Sequence, residues 1–528
     1  MRTVLSALSG HSRQNPLFVL GFLVIAAVLA YQAAGYVIKD DLVGLSYIGM
    51  VFLGGAFVVG MLNNWRNGLY FFLTWLLFED LVRKFLGNNM AIYFAKDFMV
   101  LVVYISFFIA FRRKEVHTFR PPFLVPLLLF IWFGVMQMFN PGSNSIIFGL
   151  LGIKIFFYYV PLMLIGYALF DSEAQLRKFF FFNMILTLII VSLGIVQSVI
   201  GPSFLNPTIL QEDIRALSTT YRVAPISGAI VFRPSSVFVS AGRFADFLVV
   251  GWMMVFGFSG YLLLRRRRGR SLAFLCLAVT FAGAIMCASR GVFMWTSITA
   301  VVGSIAFIWG APWRQREVLR VLRTVQRAAL GIALALVLLF ITVPEALMGR
   351  LSVYYETLSP SSSASELTNR ARDYPIQNFL YAFDYPRWPY GYGIGTTSLG
   401  VQYVSRIFHE KNTIGGVESG FGALVVEMGI GGLILWLVMA VSIVIAAWRV
   451  VRKLRGSPWF PLAFIIMWYA FLLLLPMTFA GMQAYQDFIL NAYLWLLLGI
   501  LFRLPSIALS SQFAITAPSS QMPRAWVR

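Results

Sequence analysis

Charge is scarce in this chain of 528 residues: 12% of positions are Asp, Glu, Lys or Arg, against 59% that are hydrophobic. That leaves too little polar surface for a soluble protein to cover itself, which excludes a cytosolic enzyme. Cysteine is scarcer still, with only Cys276 and Cys287. They fall in one predicted helix about eleven residues apart, roughly 16 Å of rise, so they cannot bridge each other. No disulfide framework or metal cluster is available. Acidic residues number 21 against 42 Lys and Arg, a formal charge of +21. An apolar chain with basic loops points to lipid, because nucleic-acid binders concentrate charge on a soluble domain. There is no repeat of roughly 20 to 50 residues, and no pair of inverted halves with matched broken helices of the kind many transporters show.

What the chain has is long apolar runs. A helix needs about 20 apolar residues to cross a bilayer, which divides the sequence into about fourteen spans. They fall near 17–38, 43–62, 68–87, 91–111, 122–139, 146–170, 177–200, 237–264, 271–289, 291–310, 328–348, 418–448, 459–480 and 485–502. The run after Arg2 and Arg13 is long enough to span, so it is expected to be a retained helix rather than a cleaved signal. The expected fold is all-α and polytopic. Its parts are N-terminal helices with a first outer loop (1–236), a block of helices (237–348), a large extracytoplasmic loop (349–417) and C-terminal helices with a tail (418–528). Lys and Arg gather in alternate short loops, at Arg66, Arg112 to Lys114, Arg177-Lys178, Arg265 to Arg270, Arg314 to Arg327 and Arg449 to Arg455. Positive juxtamembrane charge stays in the cytoplasm, which predicts both termini there. The Arg265 run reads as an anchor on anionic lipid rather than a nucleic-acid site.

Two outer loops break this pattern. The one near 201–236 holds Arg215, Arg222 and Arg233; the one near 349–417 holds Arg370, Arg372, Arg387 and Arg406 with His409 and Glu410. Extracytoplasmic arginines are simplest to explain by an anionic ligand, or else by local carboxylates and headgroups. Arg290, in Ala288-Ser289-Arg290-Gly291 at the junction of two spans, is placed at the outer interface. A guanidinium there presents a fork of donors to a phosphate in the headgroup plane; the alternative is an arginine snorkelling at a turn. Glu418, opening a helix, is a candidate general base or a helix-capping carboxylate.

The order of these features resembles a known family. Ser289-Arg290-Gly291 at the outer end of a helix comes first, then a large loop with Arg370 upstream of Pro389-Tyr390-Gly391-Tyr392-Gly393-Ile394-Gly395. A helix carrying Glu427-Met428-Gly429-Ile430-Gly431-Gly432 follows. Over roughly residues 225 to 450 this is similar to the O-antigen ligase and O-antigen polymerase superfamily. The resemblance implies an inverting, metal-independent and cofactor-free glycan transferase of the bacterial inner membrane. Its donor would be a polyprenyl-pyrophosphate-linked oligosaccharide, its surroundings membrane lipid, and other polysaccharide assembly proteins further partners, with no nucleic acid. It implies pyrophosphate contacts from Arg290, Arg233, Arg370 and Arg372, and a base at Glu418 or His409. Ligases of the family carry a histidine about nine residues before the Glu-x-Gly, where this chain has Glu418. That departure favours a polymerase of surface polysaccharide over attachment to lipid A core.

Two other classes are open at the level of sequence. A transporter or flippase would use Glu79, Asp80, Lys96, Asp97, Lys154 and Asp246 as a path, although Glu79 with Arg83 and Asp80 with Lys84 have the spacing of self-paired helix charges. A scaffold in an export complex would tolerate replacement of Arg290 and Glu418.

Overall fold

The computed structural model describes residues 54–516, apart from 56–57, 87–89, 208–209, 266–267, 313–329, 331–332, 334–336, 338–339, 342–343, 399, 402–404, 406–408 and 410–413. The expected spans at 17–38, most of 43–62 and most of 328–348 lie outside the described residues. The rest is dominated by helices: α1 (Trp65–Phe85), α2 (Met90–Arg112), α3 (Leu124–Met138), α4 (Ile146–Phe157), α5 (Leu162–Ala168), α6 (Glu173–Ile200) and α7 (Glu212–Ser218). After a hairpin of β1 (Tyr221–Val223) and β2 (Ile230–Phe232) come α8 (Ala241–Arg265), α9 (Arg270–Met286), α10 (Arg290–Gly310), α11 (Pro344–Leu358), α12 (Tyr374–Tyr381), α13 (Gly420–Lys453), α14 (Phe460–Leu472) and α15 (Phe488–Thr516).

Among the described residues, eight helical segments are long and apolar enough to cross a membrane: Ala91–Arg112, Ile146–Ala168, Glu173–Ile200, Ala241–Arg265, Arg290–Gly310, Gly420–Lys453, Phe460–Ala480 and Phe488–Ser510. The protein is therefore a helical, multi-pass membrane protein. Leu124–Met138 and Arg270–Met286 are apolar but shorter. α1 falls outside the eight because Glu79, Asp80, Arg83 and Lys84 occupy its last two turns.

The described residues fall into two compact units, 54–72 with Phe98–Phe108, and Leu73–Asp97 with 109–516. In the first, Trp65 meets Phe107 edge to face at 5.2 Å and the Ser106 hydroxyl donates to the Leu62 carbonyl at 2.9 Å. In the second, α8 packs against α6, α9, α10 and α14, while α15 lies along α5. The α5–α15 crossing depends on small residues. A side chain at Gly166 would strike the Leu496 carbonyl, and one at Gly499 the Met163 carbonyl, so the two backbones approach as only glycine permits.

The helical, polytopic architecture agrees with the expected all-α class, to which one short hairpin is added. β1 and β2 pair antiparallel with Tyr221 opposite Phe232, Arg222 opposite Val231 and Val223 opposite Ile230. Side chains alternate along a strand, so exposed Tyr221 and Val223 lie on the face opposite Arg222. The segment 349–417 also contains regular structure: α11 runs through its first residues and α12 follows. α11 fastens the hairpin to the helix ends. Buried Arg350 donates to the carbonyls of Met286 (2.8 Å), Phe232 (3.0 Å) and Ser198 (3.2 Å). Tyr354 reaches the carbonyls of Ala284 and Ile285, while the Glu356 carboxylate accepts from the Ile226 and Ser227 amides. Hydrogen bonds from the Ser227 side chain and those two amides hold Glu356 below the usual carboxylate range.

α13 is broken at Gly429, whose φ of 71° interrupts the helix. The break receives the loop Pro389 to Gly395: Tyr392 N donates to the Val426 carbonyl and Gly393 N to the Glu427 carbonyl, each at 2.8 Å. A side chain at Gly429 would collide with the Pro389 carbonyl. Gly429→Ala is expected to cost about 2–4 kcal/mol, from left-handed strain plus that collision. Loss of thermal stability in detergent measures it, and an unchanged melting temperature would contradict the arrangement.

Candidate functional site

The turn between α9 and α10 is the Ser-Arg-Gly segment. Ala288 takes a left-handed φ of 51°, unusual for a residue with a side chain. It is held there by packing against Ala224, Val231 and Val353, which draws hairpin and α11 onto the turn. Ser289 then caps α10 with extended backbone, and Arg290 occupies the first helical position.

Arg290 opens onto a cavity of about 330 Å³. Arg222 and Glu366 supply its other charged walls; Met294, Trp295 and Leu358 supply apolar ones. Arg290 Nη1 stands 2.7 Å from Glu366 Oε2. Burial, then repulsion from Arg233 and Arg290, pushes the Arg222 guanidinium down to about 10. It stays protonated at neutral pH, and an anion in the cavity would relieve that cost. Arg222 Nη1 and Arg233 Nε are buried without a hydrogen-bond partner among the described residues. The first turn of α10 adds the positive end of a helix dipole. The pocket sets two guanidiniums and a carboxylate against an apolar wall, a lining able to take a multiply charged anion that carries a hydrophobic group. Among the described residues, no three His, Cys, Asp or Glu side chains converge as metal ligands.

The sequence-derived residues fare differently. Arg290 lines the cavity, and Arg233 lies close enough to Arg222 to repel it. Arg372 does not line it; it is exposed and sits 3.4 Å from its neighbour Asp373. The Arg370 side chain lies outside the described residues. Glu418 is exposed just before Ser419, the N-cap of α13. Its carbonyl faces Gly481, the residue after Ala480, which lines the cavity, so Glu418 flanks the pocket without forming its wall. His409 is exposed with a φ of 56° and is not among the lining residues. Two lining groups escaped assignment from sequence, Arg222 and Glu366. Arg222 was visible as one of the anomalous outer arginines, whereas nothing about Glu366 distinguished it from a surface carboxylate.

The glycine motif and Glu427 are structural. The Glu427 carboxylate, deep in the protein, accepts from Gly395 N (2.9 Å), Thr397 N (2.9 Å) and Thr397 Oγ1 (2.7 Å). It thereby fixes the loop against α13, with Asn140 and Gln137 of the α3 end donating to the Tyr390 carbonyl.

A second polar cluster corrects the expected helix-end pairing. Glu79 lies 2.9 Å from Lys96 of α2 rather than beside Arg83, and Asp80 takes both carboxylate oxygens to Arg243 Nη1 of α8, at 2.9 and 2.7 Å. Lys84 donates instead to Ser235 Oγ and the Ser236 carbonyl, both at 3.0 Å, and Lys154 lies 2.5 Å from Asp97. Buried Glu79 and Asp80 find their nearest cations on α2 and α8, although Asp80 also keeps Arg83 of its own helix at 3.5 Å.

In comparisons with known proteins, no family model and no curated sequence matches this chain.

Proposed function

We propose that the protein is a membrane glycan transferase of O-antigen polymerase type, extending surface polysaccharide from a polyprenyl-pyrophosphate carrier. The observation that supports this most is the cavity at Arg290. It sets two guanidiniums against Met294, Trp295 and Leu358 at the end of a membrane-crossing helix, suited to a pyrophosphate that leads into a prenyl chain. The reading takes about fourteen spans, both termini cytoplasmic, and the Arg290 end facing the periplasm.

In the proposed reaction the acceptor sugar hydroxyl attacks the anomeric carbon of the donor glycan. The new glycosidic C–O bond forms as the bond from that carbon to the pyrophosphate oxygen breaks, with inversion. Polyprenyl pyrophosphate leaves with the electron pair, and Arg290 and Arg222, with Arg233 behind them, stabilise its growing charge. The hydroxyl proton passes to the carboxylate of Glu418, the flanking base. Neither step uses the buried pairs around Asp80. Their interhelical pairing favours a fixed scaffold over the charged path a transporter would need.

Glu366 competes with the donor for Arg290. Glu366→Gln is expected to tighten binding of a labelled polyprenyl pyrophosphate about fivefold, the worth of one partly exposed ion pair. Unchanged affinity together with a collapse of transfer rate would instead make Glu366 the base. Loss of no donor binding on replacing Arg290 and Arg222 together would refute the site.

A further inference from the structure

A second cavity, of about 900 Å³, lies at the start of α6 and is lined by Arg177, Lys178, Phe181, Phe182, Ile185 and Arg268. It is remote from Arg290. α9 begins at Arg270, just after Gly269 in the wall of this cavity, and ends at Met286 near the Arg290 turn, so the two sites occupy opposite ends of one helix, roughly 25 Å apart along its axis.

We infer that this cavity holds an anionic glycerophospholipid of the leaflet on its own side, with the phosphate on Arg177, Lys178 and Arg268 and an acyl chain along α6. Charge complementarity is the first ground. The nearby carboxylates are engaged elsewhere: Glu173 accepts from Arg265 at 3.0 Å and from Tyr261, and Asp171 faces His117 at 3.7 Å. None of Arg177, Lys178 and Arg268 has an ion-pair partner among the described residues, so three cations meet around one cavity with no carboxylate among the described residues that line it.

The second ground is the wall. Arg177, Phe181 and Ile185 recur every four residues, and Lys178 and Phe182 run beside them, so cationic heads and apolar surface share one face of a membrane-crossing helix. Ile185 is 47% exposed, two turns above the cations. A free phosphate would leave that apolar strip uncovered; a lipid covers it with its chain while its headgroup meets the cations. The ring of Phe181 lies against Gly269, whose φ of 98° turns the chain into α9, so floor and basic rim are built by one contact.

The test reconstitutes the full protein in nanodiscs of phosphatidylcholine alone or with phosphatidylglycerol, then identifies lipids retained after transfer to detergent by native mass spectrometry. The wild type is expected to retain phosphatidylglycerol in preference to phosphatidylcholine. The Arg177→Gln, Lys178→Gln, Arg268→Gln triple variant is expected to bind it roughly a hundredfold more weakly, at about two thirds of a decade per cation. Its melting temperature in phosphatidylcholine discs verifies folding, and should the variant not fold, the wild-type preference decides alone. Equal retention of both lipids, retention unchanged in the folded variant, or displacement of the lipid by inorganic phosphate would each overturn the inference.

Discussion

Arg290→Ala is expected to lower glycan transfer by two to three orders of magnitude with little change in thermal stability. The size follows from removing one positioned donor to charge that develops on a leaving group, about 3 kcal/mol in a water-poor site. Little stability is at stake, because among the described residues the guanidinium pairs with a partly exposed Glu366. The cavity adds a finer expectation. Without Arg290, the Glu366 carboxylate loses the cation 2.7 Å away and turns more of its charge on the pyrophosphate, so part of the defect is repulsion. Arg290→Ala with Glu366→Ala should therefore recover about tenfold over the single variant, whereas Arg290→Lys should restore charge without the fork and recover only part. Steady-state transfer with these four proteins and Glu366→Ala alone measures the coupling. Strict additivity would mean that the two side chains do not share a substrate-facing site.

Asp80→Ala is expected to destabilise the fold by about 3 kcal/mol. The substitution leaves the Arg243 guanidinium and the Val239 amide without their acceptor in the interior. The value sits at the lower end for a broken buried pair because Asp487 Oδ2 stands 4.0 Å from Arg243 Nε and takes up part of the charge. Replacing both partners with apolar residues of similar volume, Asp80→Leu with Arg243→Met, should recover more than half of the loss, since desolvation of both charges is then removed. Denaturant unfolding in micelles compares the three proteins. A loss below about 0.5 kcal/mol in the single variant would place this pair among surface ion pairs.

The long apolar helices were legible because twenty consecutive apolar residues leave few alternatives, and Ala241–Arg265 or Arg290–Gly310 match their sequence windows closely. Arg290 was legible for a different reason: a charge at the junction of two apolar runs stands out. α11 was hidden because its apolar pattern fades after residue 348 and the Ser359 to Ser365 run signals a loop. Arg350 within it reads as another outer-loop arginine, yet it is buried against three carbonyls that come from elements far apart in sequence. Spacing misled at Glu79 and Asp80. Local i, i+4 partners exist, but Glu79 and Asp80 take their shortest contacts between helices, with only Arg83 kept near Asp80, and no pattern within α1 encodes which helix packs beside it. The same limit applies to Glu427, whose position in the motif is plain and whose grip on Gly395 and Thr397 is a tertiary fact.

The most direct test of the central claim is transfer by the purified protein in liposomes supplied with a polyprenyl-pyrophosphate oligosaccharide and no other enzyme. The account predicts a ladder of lipid-linked products lengthened by whole repeats, growing with the wild type and lost with Arg290→Ala and Glu418→Gln in folded protein. A ladder that grows equally with both variants, or no product from wild type with any polyprenyl-pyrophosphate donor and acceptor pair, would contradict it.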